Sequence, residues 1–414
     1  MDRKTKIFLS WLYVSLCALS IFLIVPLART IQKFVSDNWA RSAFGFAVLA
    51  AVGAAFLILS AVLFLRLKIR TPTQYFWLAA VTAAYVYFTL KLWKNPEEAV
   101  HFLEYGLLGF FLFRAFRFHI KDKSIFLAAF SAGALIGIWD EILQWAVPGR
   151  YWDIRDVGLN ALSCALFQLA LWKGIKPKMP ETKISPHSFK INAILISMNL
   201  ILLGLCYSNT PARVRTYTKA LPFLSFLERQ EAMSEYKYQH EDPDIGVFFS
   251  RLSKEELYQQ DSERAQEFGD VLTFWSGEPY ADYLDHFPGS VHPFLHEIRV
   301  HIFRRDRRLE LALFSDDPNL KKENLFIAYK ENQILEKYFG NSLAGSPYQW
   351  EPQKSQNIAQ EIDITATYRS PVSADVFAAL NETYFWGLIL IIIGIIWIGY
   401  FVHPHSHNKV TRKK

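Results

Sequence analysis

The chemistry-bearing residues of this chain gather in one stretch, Trp139–Asn160, which reads WDEILQWAVPGRYWDIRDVGLN. It starts in an apolar helical run, breaks at Pro148-Gly149 and re-enters a second apolar run. Between them stand Asp140, Glu141, Gln144, Arg150, Asp153, Arg155, Asp156 and Asn160. Ionisable groups in or beside a membrane span are costly to keep, so they suggest function by default. A second stretch, Val100-His101-Phe102-Leu103-Glu104-Tyr105, opens the preceding apolar run, with His101, Glu104 and Tyr105 on one helical face. These residue types suit three roles. As catalysts, His101 serves as general acid or base, Glu141, Asp153 and Asp156 as bases or oxygen ligands for a divalent cation, and Arg150 as a bidentate partner for phosphate or carboxylate. As a binding site, the same groups hold a molecule with a lipid tail and a polar headgroup without reacting with it. As structure, the acids pair with Arg150 and Arg155 to fix helices that the hydrophobic effect cannot drive together inside lipid. The residue types alone leave all three open.

The elements that must position these groups are membrane helices. The chain has 414 residues, is 51% hydrophobic and has a mean hydropathy of +0.10, an average that conceals two regimes. Residues 1–207 and 383–402 are dominated by long apolar runs, residues 208–382 are of mixed, globular character, and 403–414 form a basic tail. Eight runs are candidate spans: Ile7–Ala28, Ala43–Leu65, Tyr75–Leu92, Val100–Phe118, Ile125–Val147, Val157–Trp172, Ile191–Tyr207 and Tyr384–Val402. Most are long enough at helical rise to cross a hydrocarbon core. Val157–Trp172 is short and borrows residues from Asp153 onward. The first run follows Arg3, Lys4 and Lys6, but it is too long for a signal-peptide core and no small-x-small site follows, so it reads as a retained helix.

Loop charge orients the array. With the N-terminus inside, the inner segments carry nineteen Lys and Arg residues and the outer loops only seven, a clear positive-inside bias. Both termini are then cytoplasmic and residues 208–382 extracytoplasmic. His101, Glu141, Arg150, Asp153 and Asp156 all fall at the outer face. They are expected to line one pocket there, with Tyr105, Gln144 and Asn160 as its second layer and with Glu141 paired to Arg150 or His101.

The motif resembles the VanZ-like family of small polytopic membrane proteins. Its pattern of His-Phe and Tyr, Glu and Gln on a helix, Pro-Gly-Arg, Asp-Val and then Asn is matched by His101, Phe102, Tyr105, Glu141, Gln144, Pro148, Gly149, Arg150, Asp156, Val157 and Asn160. An acidic-basic pair of the family is replaced by Glu97-Glu98, and Ser163 stands where a small Gly is common. The resemblance covers residues 75–173. It implies a role in the cell envelope, of the kind associated with glycopeptide-antibiotic resistance, rather than one defined reaction. The implied ligand is a lipid-linked or polysaccharide envelope precursor. The alternatives it leaves are a non-catalytic accessory protein and a scaffold whose outer domain recruits a partner.

The net charge of +6 divides into −9 over residues 208–382 and +15 elsewhere. The basic pI therefore follows topology and gives no ground for a nucleic-acid partner. Cys17, Cys164 and Cys206 all lie in spans, so the outer domain has no disulfide framework. That domain reads as α+β. A capping box at Ser253 and Glu256 opens a helix over 253–268, Glu297–Arg304 and Leu309–Phe314 read as a hairpin turning at Arg305–Arg308, and Glu361–Tyr368 alternates as a strand. His292, His296, Glu297 and His301 cluster around the first of those strands, where polar outer residues of a half-buried strand are the plain reading. Asp282, Asp285 and His286 match no ligand spacing, and no nucleotide-binding, HExxH or GxSxG motif occurs. The alternating His403, His405 and His407 read as a solvated tail that has the residues to bind metal.

Overall fold

The structure is a computed structural model; it describes all residues except 149, 230–231, 236, 290, 373–379 and 412–414, with the backbone alone for 403–411. Gly149 of the Pro-Gly-Arg turn and the side chains of His403, His405 and His407 thus lie outside the described residues. The chain forms two compact units, Met1–Cys206 with Glu382–Lys414, and Tyr207–Asn381.

The first unit is helical. Its elements are α1 (Arg3–Ile24), α2 (Ala28–Asn38), α3 (Ala43–Ala61), α4 (Pro72–Lys91), α5 (His101–Phe116), α6 (Ile125–Ala146), α7 (Ile154–Leu169), α8 (Pro186–Tyr207) and, after the second unit, α17 (Glu382–Thr411). Among the described residues, seven helical segments, of 21 to 36 residues, are long and apolar enough to span a membrane. The expected span Tyr75–Leu92 forms α4 with 20 residues, but Gln74, three tyrosines and three threonines lower its hydropathy below that of the other seven. It belongs to the array all the same: Gln74 Nε2 donates to the Gly174 carbonyl at 2.9 Å and the Tyr85 hydroxyl to the Ser163 carbonyl at 2.8 Å. After α1 the chain makes one 3-10 turn, Val25–Leu27, at Pro26 and then resumes as α2. Proline at the first helical position forfeits no hydrogen bond, so the break is a bend and residues 29–38 are helix where sequence suggested a loop. α2 buries no residue and exposes Ile31 and Phe34.

The second unit is mainly helical as well. It comprises α9 (Pro211–Ala220), a hairpin of β1 (Tyr238–Asp242) and β2 (Gly246–Ser250), then α10 (Lys254–Glu263), α11 (Ala265–Phe274), α12 (Tyr280–His286), α13 (Pro293–Leu313), α14 (Pro318–Tyr338), α15 (Gly340–Ala344) and α16 (Pro352–Glu361). The two strands pair antiparallel with Tyr238 opposite Ser250. Their turn needs Gly246, at φ +115°, where a Cβ would strike the Tyr368 carbonyl. The capping box at Ser253 and Glu256 is present, and the helix it opens breaks at Arg264 into α10 and α11.

The other expected strands are corrected. Residues 297–314, read as a hairpin, lie in the single helix α13 and its C-cap. Leu295, Ile298, Ile302 and Arg305 are all buried there, a helical spacing that the local alternation of Ile298, Val300 and Ile302 conceals. Residues 361–368 form no strand; beyond them Arg369 makes one parallel bridge to Val247. Among the described residues the sheet has two strands, so the unit is helical with a small hairpin rather than α+β. Its core joins Phe248, Leu257, Phe268, Leu272, Ile298, Ile302, Leu335 and Tyr338.

Candidate functional site

Three helices of the first unit carry the predicted residues, and their packing follows from side-chain size. On α6, Gly133, Gly137 and Glu141 recur every fourth residue; on α7, Asp156, Asn160 and Cys164 do the same. A Cβ on Gly137 would come within 2.8 Å of Asn160 Cβ, and one on Gly133 would strike Cys164 Sγ. The absence of side chains at these two glycines lets the helices approach closely, and the next step of the same ladder brings Glu141 to Asp156. α5 runs alongside α7, held by Ser163 Oγ donating to the Phe102 carbonyl at 3.1 Å, Cys164 Sγ to the Tyr105 carbonyl at 3.4 Å and Gln168 Nε2 to the Gly109 carbonyl at 2.9 Å. Ser163 thus contributes a bond that a glycine there could not.

This packing brings His101, Glu141 and Asp156 together: one donor atom from each lies within 4.8 Å of the others. Glu141 is fully buried. Its Oε1 accepts from Gln144 Nε2 at 2.6 Å, and its Oε2 has no partner among the described residues. Gln144 Oε1 in turn accepts from Arg150 Nη2. The expected pairing of Glu141 with Arg150 is therefore relayed through Gln144, which lies one turn after Glu141 and intercepts the guanidinium. Asp140, beside it, accepts from the Tyr105 hydroxyl at 3.1 Å. His101 Nδ1 stands 3.3 Å from Glu104 Oε2, an ion-pair distance without hydrogen-bond geometry.

Above this cluster is a cavity of about 400 Å³. His101, Gln144, Arg150, Asp153 and Asp156 line it; Glu141, Tyr105 and Asn160 do not, and are packed beneath its floor. Gln144 is thus at the surface of the pocket rather than behind it. Asp153 is largely engaged in folding: it caps α7, its Oδ1 accepting from the Arg155 amide at 2.7 Å.

The rim is held by ion pairs. Arg155 reaches Glu98 Oε1 at 2.8 Å, and Arg41 Nε reaches Glu97 Oε2 at 3.0 Å, with Gln32 Nε2 on Glu97 Oε1 at 2.9 Å. The opposite wall is apolar and comes from the first helix pair and α3: Ile21, Ile24, Val25 and Phe44, with Arg29 among them. Sequence reasoning placed none of these in the site, because they lie at least 50 residues from the motif. It also left Asp140 out of the site, although its spacing of four from Gln144 was visible.

In the second unit the acids and histidines of α13 serve the fold. Glu297 accepts from Ser250 Oγ at 2.6 Å and the Arg251 amide at 2.7 Å. His301 Nδ1 meets Glu331 Oε2 at 2.5 Å, and Glu331 also takes Arg304 Nε at 3.0 Å, Ser370 Oγ at 2.8 Å and the Tyr368 hydroxyl. Burial opposes the Glu331 charge, but His301 and these hydrogen bonds outweigh it and hold the carboxyl below its ordinary range. His292, His296, Glu297 and His301 form no joint ligand set among the described residues.

The family model described as VanZ/LLP1 matches residues 10–173. The match begins well before the motif, so the matched stretch takes in most of α1 and all of α2 and α3 with their apolar wall, as well as the polar floor. No curated protein and no solved structure matches the chain.

Proposed function

We propose that the stretch matched by the VanZ/LLP1 family model, residues 10–173, is a membrane domain that holds the headgroup of a lipid-linked envelope precursor at the outer face of the membrane. The observation that carries this reading is the two-faced cavity. One wall offers the apolar side chains of Ile21, Ile24, Val25 and Phe44; the floor carries His101, Gln144, Arg150 and Asp156. An amphiphile lying with its tail in the bilayer meets both. Arg150 and Arg29 supply charge for a phosphate or carboxylate. His101 and Asp156 are the groups that touch the headgroup, for acid–base work or for binding alone; Glu141, Tyr105 and Asn160 act from beneath, Gln144 between the layers.

In this reading α4 is an eighth crossing, both termini are cytoplasmic, and Tyr207–Asn381 is extracytoplasmic. The nineteen-to-seven bias of basic residues supports that orientation. A reporter active only outside, fused after Lys183, Glu323 or Lys414, should work at the middle position alone.

The test of ligand class is co-purification. Full-length protein is extracted in native-lipid discs, and polyprenyl-phosphate-linked lipids are quantified by mass spectrometry against the bulk membrane. Enrichment is expected, falling about tenfold in Arg150→Ala, the loss of one charge-assisted hydrogen bond worth ~1.5 kcal/mol. The same lipid profile in wild type, Arg150→Ala and Asp156→Asn overturns the reading. Turnover of a labelled precursor then separates an enzyme from a binder.

A further inference from the structure

We propose that His101, Glu141 and Asp156 form a divalent transition-metal site in the floor of the cavity. The donor atoms of the three lie within 4.8 Å of one another, each from a different helix. That spread matches an ion bonded to all three, since metal–nitrogen and metal–oxygen bonds of about 2.0–2.2 Å put neighbouring donors about 3–4.5 Å apart. Two independent observations point the same way. Glu141 is fully buried, yet its Oε2 has no hydrogen-bond partner among the described residues, and Asp156 Oδ1 has none either. No Lys or Arg comes within ion-pair distance of Glu141 among the described residues, and the nearest guanidinium to Asp156 Oδ1 is that of Arg155 at 3.9 Å. Carboxylates that converge on one point, Glu141 buried and Asp156 at the cavity floor, need positive charge between them, and the arginines on either side of Asp153 are engaged elsewhere: Arg150 with Gln144, Arg155 with Glu98.

The donor set selects the ion. One imidazole with two carboxylates favours Zn²⁺, Mn²⁺ or Fe²⁺ over Ca²⁺ or Mg²⁺, which take oxygen ligands. The surroundings have the form of supporting contacts to a metal site. Glu104 Oε2 stands 3.3 Å from His101 Nδ1, not aligned as a hydrogen bond but near enough to become the carboxylate that orients a ligand imidazole when the ring binds through Nε2. Gln144 fixes the other oxygen of Glu141 at 2.6 Å. His101 and Asp156 line the cavity whereas Glu141 does not, so three protein ligands would close the ion's lower side and leave a coordination position facing the cavity. The site stands on its own geometry and does not depend on which headgroup the cavity takes.

Metal binding tests it directly. Full-length protein in detergent is stripped with chelator, loaded with Mn²⁺ or Zn²⁺, desalted and assayed by elemental analysis. Because the alternating C-terminal histidines have the residues to bind Zn²⁺, the background chain carries H403A, H405A and H407A. About one ion per chain is expected in that background, with binding weakened by more than tenfold in Glu141→Gln and Asp156→Asn, and about 10–100-fold in the orienting variant Glu104→Gln. The electron paramagnetic resonance spectrum of bound Mn²⁺ should change in His101→Gln. A raised unfolding temperature on adding metal to the unsubstituted site, abolished by chelator, reads the site without any variant that has to fold. No retained ion and no thermal shift would overturn the proposal and assign the cluster to protons; retention unchanged in Glu141→Gln and Asp156→Asn would overturn it in favour of another site.

Discussion

Tyr105 and Asp140 meet inside the helix bundle, almost wholly screened from solvent, and among the described residues the tyrosine hydroxyl has one partner, Asp140 Oδ2. Tyr105→Phe keeps the ring and removes that bond, leaving Asp140 with only the 3.4 Å contact from Gln144 Nε2. A loss of about 1–3 kcal/mol is expected, as for any buried acceptor stripped of its donor, read as a lower unfolding temperature in detergent. His296 gives a pH test in the second unit. Burial first, and then the Arg251 charge, push its pKa down from the ordinary 6.5 to about 4. The fold therefore keeps the ring neutral while the unfolded chain protonates. Its contribution is complete above pH 6.5 and is lost as pH falls toward 4, at up to ~1.4 kcal/mol per pH unit. His296→Asn retains a donor for the Phe287 carbonyl, which His296 Nδ1 meets at 3.0 Å, and should flatten that slope, measured by hydrogen exchange of α13 amides between pH 4 and 7. At this scale the motif residues were legible because their cost in an apolar segment marks them. Gln144's place between Arg150 and Glu141 was not, since one-turn spacing states who is near and not who intercepts whom.

Between elements, two glycines set the geometry. Gly137→Ala puts a methyl where Asn160 Cβ lies 2.8 Å away, so α6 and α7 must part by several tenths of an ångström. The expected result is destabilisation of about 1–3 kcal/mol, the usual cost of overpacking, together with weaker metal retention although no ligand is touched. Gly158→Ala, on the same helix α7 with nothing within 4 Å of the added carbon, is the control and should behave as wild type. The helices themselves were legible wherever apolar runs exceed eighteen residues, because backbone in lipid has to satisfy its own hydrogen bonds. α13 was not: Ile298, Val300 and Ile302 satisfy a strand period locally, and only the longer set from Leu295 to Arg305 shows the helical one. The apolar wall from α1 was also hidden, because nothing in a uniformly apolar helix says which face meets a site 80 residues on.

At the scale of the molecule, the chain leaves the membrane unit by α8 and returns by α17, and these two helices are packed together. A Cβ on Gly204 would come within 2.7 Å of the Trp386 ring, Trp397 Nε1 donates to Ser197 Oγ at 3.2 Å, and the Phe189 and Tyr400 rings meet tilted, with centroids 6.0 Å apart. The unit boundaries at Cys206 and Glu382 fall where the apolar runs stop, which is why hydropathy alone locates them; the pairing of the two helices is not in hydropathy at all. That pairing is a clasp. It joins the ends of everything from Tyr207 to Asn381 whether or not those residues are folded, so the unfolded form of the second unit is a closed ring rather than a free coil. Closing a ring of that length removes chain entropy worth about 4–5 kcal/mol, much as a disulfide would, in a unit that has no cysteine. Gly204→Leu, which pries the clasp open, should therefore raise hydrogen exchange in α13 and α14 without changing one contact inside their unit. Lipids that tighten or loosen this helix pair would tune the stability of residues 207–381 through the closed ring alone.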